Sequence, residues 1–113
     1  MAITPRRLVT PTQLGTTIST LYTATNVRTL IDKVTAVNTS GGAVTFDMHI
    51  VPSGGSATAT NKLIAARSVA ANETYTCPEM VGHVMEASET IQALASAATA
   101  IGIRASGREV SST

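Results

Sequence analysis

The sequence predicts an all-β fold: a single antiparallel β-sandwich, jelly-roll or Ig-like, preceded by an extended N-terminal arm. Three observations carry this. Short segments rich in Val, Ile and Thr recur between turn signals roughly every 8 to 12 residues, about seven in all. No window of helical length keeps an apolar period of about 3.6 residues beside good helix formers. The chain of 113 residues is 43 % hydrophobic, which suits one domain with a core of its own. That core should be thin. There is no Trp, one Phe and two Tyr, and small side chains such as Ala bury little area each.

The elements follow in order. Residues 1–16 read as the arm, because Pro5 and Pro11 exclude regular helix and hold their preceding residues extended. Residues 17–110 form the sandwich and 111–113 a polar tail. "TTISTLYTA" (16–24) is the first strand signal. In "RTLIDKVTAVN" (28–38), Val34 and Ala36 oppose Thr35 and Val37, and adjacent Leu30 and Ile31 require a bulge or two covered faces. "TSGG" (39–42) reads as a hairpin turn. "AVTFDMHIV" (43–51) alternates most cleanly, with Val44, Phe46, Met48 and Ile50 opposite Thr45, Asp47 and His49. It should lie at the centre of the core.

"PSGGSATATN" (52–61) is a small-residue loop without an anchor, free to reach a neighbour. "KLIAARSVA" (62–70) fits a strand or a short helix. "TYTCPE" (74–79) is a short strand that Pro78 ends or confines to an edge. The periodicity of 80–89 is undecided. Ile91, Ala93 and Ala95 oppose Gln92 and Ser96, and Ile101, Ile103 and Ala105 oppose Arg104 and Ser106. The Ala-rich stretch 93–100 is the one helix candidate, but β-branched neighbours count against it.

Chemistry is sparse. The single Cys77 excludes an intramolecular disulfide and reads as a small buried hydrophobe. His49, His83 and Cys77 are too scattered for a metal site. His49 beside Asp47 reads as a polar surface pair. "SGGSATATNK" lacks the spacing of a phosphate-binding loop. Glu86 and Glu89 have no cleft to share. Charged residues are 13 % and net charge is +1, which argues against a nucleic-acid partner. No apolar run approaches the ~20 residues of a membrane helix, and no leader segment is visible. Neither an enzyme nor a cofactor is expected. A surface poor in charge suits a protein held against neighbours.

Over residues 20–108 the chain resembles small virion proteins of tailed bacteriophages. The resemblance rests on the "LYTA" strand, a basic residue opening the next strand, "NTSG", "VPSGG", the "ANET" turn, "EASETIQA" and the closing "SGRE". It implies a β-sandwich assembled in many copies on a virion. The favoured role is a capsid decoration or cement protein bound to the major capsid protein or other virion proteins, and itself a homo-oligomer. The alternatives are a tail, collar or baseplate part, and a virion-displayed glycan-binding module. The residues expected to touch partners are Pro5, Arg6, Arg7 and Pro11 in the arm, and Ser53, Gly54, Gly55 and Thr58 in the loop.

Overall fold

A computed structural model describes residues 2–111. Nine strands and no helix make up these residues: β1 (Ala2–Gln13), β2 (Ser19–Thr23), β3 (Arg28–Asn38), β4 (Val44–Val51), β5 (Lys62–Val69), β6 (Thr74–Tyr75), β7 (Val84–Met85), β8 (Thr90–Ala95) and β9 (Ile101–Ser111). They form two sheets. Sheet A runs β1-β9-β3-β6, with β7 beside β6 on the same flank of β3, and sheet B runs β2-β8-β4-β5. Every pairing is antiparallel.

The pairings nest. β1 takes β9, β2 takes β8, β3 takes β6 and β7, and β4 takes β5. One long hairpin, with its apex at residues 52–61, has been rolled so that successive pairs alternate between sheets. This is jelly-roll order. In the Ig-like alternative the first two strands are sheet neighbours; here β1 and β2 lie in different sheets.

The core lies between the sheets. Phe46 and Met48 of β4, Ile31 and Val34 of β3, Ile91 of β8, and Ile101 and Ile103 of β9 are fully buried. These are the inward rows that alternation predicts, and β4 supplies the one buried phenyl ring. The doublet Leu30–Ile31 precedes a register shift between Ile31 and Lys33, opposite β9. Residues 62–69 are strand, not helix, and the Ala-rich stretch 93–100 ends β8 and turns.

Three expectations are corrected. The N-terminal arm is not free: residues 2–13 are β1, paired from Ala2 to Gln13 with β9. Leu8 and Val9 are buried, so this segment does have something to bury. The prolines are tolerated because β1 is an outer strand, and Pro11 falls in its register irregularity between Val9 and Thr12. Next, "TSGG" does not close a hairpin, because it carries the chain from β3 in sheet A to β4 in sheet B. The buried Asn38 side chain organises it, donating to Gly42 O and Val69 O (both 2.8 Å) and accepting from Ser40 N (2.9 Å) and Oγ (2.7 Å). Finally, Ser111 ends β9 rather than opening a tail, and residues 112–113 of the expected tail lie outside the described residues.

Candidate functional site

The two sets of predicted contact residues fall on different sheets. Pro5, Arg6, Arg7 and Pro11 belong to β1 of sheet A. Ser53, Gly54, Gly55 and Thr58 belong to the apex loop, which joins β4 to β5 of sheet B. Within β1 the faces alternate. Arg6 stands opposite Gly107 and reaches Glu109 at 3.4 Å. Arg7 stands opposite Ser106 on the outer face and has no carboxylate partner among the described residues. Adjacent in sequence, the two arginines therefore do not act as one patch.

The apex loop is anchored, contrary to expectation, and Asn61 is the anchor. Its backbone carbonyl accepts from Ile50 N (3.2 Å). Its side chain accepts from Thr58 N (3.0 Å), donates to Ser56 O (2.9 Å) and bonds His49 Nδ1 (2.8 Å). A turn from Pro52 to Gly55, closed by Gly55 N to Pro52 O at 2.9 Å, uses the positive φ of Gly54 (75°), which glycine adopts without steric cost. The loop folds back over the outer face of β4. His49, expected at the surface, is consequently only 4 % exposed. It does not pair with Asp47, whose carboxylate instead takes Lys62 (3.5 Å) and the N–H of Ala66. A groove of about 440 Å³ remains beside the loop, between Ile18, Leu94, Asp47, His49 and Thr58.

The sheet edges are poor templates for strand addition. Pro5 and Pro11 interrupt the donors of β1, and β5 bulges opposite Asp47, where Ala66 has φ 46°. β2 has five residues and a register shift, and β6 and β7 have two residues each. The faces and loops, rather than the edges, are therefore the surface open to contact.

The reactive side chains are committed to structure. Burial pushes the Cys77 thiol up to about 12, so it is an inert apolar group. Tyr22 of sheet B bridges to sheet A, donating to Glu109 Oε2 and accepting from Thr29 Oγ1 (2.7 Å). Burial first, and then this bond to Glu109, raise its phenol to about 12. His83 is exposed in the turn before β7, where its carbonyl accepts from Ile31 N (3.1 Å). Among the described residues no three His, Cys, Asp or Glu side chains converge as a metal site, and no helix is long and apolar enough to cross a membrane.

The residues that sequence reasoning missed are cations. Arg28 and Lys33 of β3 and Arg104 and Arg108 of β9 project from the same outer face of sheet A as Arg7 of β1. Arg28 pairs with Glu86 at 3.2 Å, and Arg108 grips Asp32 through two bonds of 3.0 and 3.1 Å. The alternation of "IGIRASGRE" does place Arg104, Ser106 and Arg108 on one side. Only the pairing of β9 with β1 and β3 brings Arg7 and Lys33 to them. Compared with known protein families, with curated proteins and with solved structures, the chain gives no significant match.

Proposed function

We propose that this protein is a structural subunit of a tailed-phage virion, of the capsid decoration or cement kind. The observation that carries the reading is a jelly roll with blunted edges and two outer sheet faces. Such a body presents surface to neighbours on both sides. The sequence resemblance over residues 20–108 points the same way. The fold alone would not decide the matter, because jelly rolls host many functions. Many modest contacts, repeated over a symmetric shell, would stabilise the assembled state by mass action. The contacts would come from the outer faces and the anchored apex loop. They would not come from an arm that orders on binding, since β1 is already part of sheet A.

A glycan-binding module fits less well. Sugars are gripped by exposed aromatic faces. Phe46 is buried, and Tyr22 and Tyr75 are half-buried with their hydroxyls bonded to Glu109 and Glu79. Quantitative mass spectrometry of purified virions tests the proposal. A decoration protein should be present in hundreds of copies per particle, and a tail, collar or baseplate part in a dozen or so. Absence from the particle would refute both.

A further inference from the structure

Five positions on the outer face of sheet A form a cross. Ser106 of β9 stands at its centre, paired with Arg7 of β1 on one side and Lys33 of β3 on the other. Arg104 and Arg108 lie two residues away along β9, on the same face. With strands about 4.8 Å apart and a rise of roughly 3.4 Å per residue, the backbone positions of all four cations lie within about 7 Å of the Ser106 backbone. The small Ser106 leaves the middle open. Four cations face one carboxylate, Asp32, which Arg108 already holds; Arg7, Lys33 and Arg104 are exposed and without a carboxylate among the described residues. Like charges gathered this closely repel, so the free protein carries them at a cost that an anion would relieve.

Apolar surface borders this belt at both ends. At one end a groove of about 450 Å³ opens over Gly102, between Pro11 and Val37, with Arg104 at its margin. At the other, Pro5, Leu30 and Val84 flank Arg108 in one row across the sheet, with Ile3 and Val110 two residues further on. Ile3 is 55 % and Val84 47 % exposed. Alternating apolar, cationic and apolar zones describe a ligand of the complementary order.

We propose that this face docks an acidic protein segment whose carboxylates lie between apolar side chains. Arg7, Lys33 and Arg104 take the carboxylates, and the Gly102 groove takes one apolar anchor. Two features favour carboxylates in a peptide over nucleic-acid phosphates. The face already holds a carboxylate bidentately, at Arg108 and Asp32. Its apolar margins have no counterpart on a phosphate backbone, and no aromatic side chain stands there for bases to stack on. The inference rests on the assembly reading, for which it names the partner's chemistry.

The test uses the purified full chain and a short synthetic peptide with a run of glutamates between leucines. Its comparators are the same peptide with glutamines, inorganic tripolyphosphate and a DNA duplex. Fluorescence anisotropy gives affinity, and amide NMR shifts locate the site. Saturable binding of the glutamate peptide is expected, with shifts at Arg7, Lys33, Gly102, Arg104 and Ser106, and weakening as salt rises. The triple variant Arg7→Gln, Lys33→Gln, Arg104→Gln should bind at least tenfold more weakly at an unchanged melting temperature. Lys62→Gln with Arg67→Gln, on sheet B, should bind as the parent does. No saturable binding, equal binding of the glutamine peptide, or tighter binding of tripolyphosphate or DNA would overturn the proposal, as would shifts confined to sheet B. A chain counted in virions that ignores the peptide sinks this docking surface alone. One absent from virions that binds it sinks the assembly reading and leaves the surface standing.

Discussion

Gly107→Ala should be among the most damaging single-atom additions to this protein. Gly107 faces inward on β9, the strand that holds both β1 and β3. A Cβ there would fall far inside van der Waals contact with the Leu30 carbonyl oxygen, 3.2 Å from its carbon and 2.8 Å from Leu8 Cδ1. The Leu8 side chain can rotate away; the Leu30 carbonyl belongs to β3 and can move only with its strand. Overpacking of this kind costs about 1–3 kcal/mol. Each ladder hydrogen bond stretched as β3 retreats adds about 1 kcal/mol. A total of about 3 kcal/mol is a large part of the ~5–15 kcal/mol that holds a domain together. It corresponds to a fall in melting temperature of roughly 12 °C or more for a chain of this size. Calorimetry or urea unfolding of parent and variant measures it. Adding Leu8→Ala should not rescue the variant, because the backbone conflict remains. A melting temperature within about 2 °C of the parent, or full rescue by Leu8→Ala, would refute the reasoning.

Asn38→Ala should cost about 1–3 kcal/mol in urea unfolding, since it strands the buried carbonyl of Val69 and removes the bonds that hold Ser40 and Gly42. Amide hydrogen exchange should show protection in β1, slow where its N–H groups bond β9; exchange at random-coil rates from Ile3 to Thr12 would restore the free arm. The native Cys77 thiol should resist iodoacetamide at pH 8 and react fully in denaturant, because a group at about 12 is thiolate only to about one part in 10⁴ there. Its folded value lies above the ordinary 9.0, so the folded state holds the proton more tightly. That contribution is complete below about pH 9 and is lost as pH rises toward 12. Cys77→Ala should flatten the alkaline fall in stability measured over that interval.

Alternation alone disclosed a large part of this molecule. A side-chain period of two is a property of the extended backbone, so it reads directly from Val44, Phe46 and Met48, or from Ile101, Ile103 and Ala105. β3 could be bounded to the residue, and the irregularity after Leu30–Ile31 anticipated, on that ground. Local pattern is silent on which strand lies beside which. Nothing in "TSGG" distinguishes a hairpin from a crossing between sheets; Asn38 and the distant Val69 decided that. Nothing in the Pro-containing start announced that β9, about a hundred residues on, would pair with it. His49 alternates as a solvent-facing residue, and it is buried because Asn61 folds the apex loop over it. The basic cross around Ser106 has the same origin. Its charges come from three strands, and long-range pairing alone sets them side by side. Sequence determined which way each side chain points, since that is settled by the neighbouring peptide units. Tertiary structure determined what each one meets, since that depends on closing contacts across almost the whole chain.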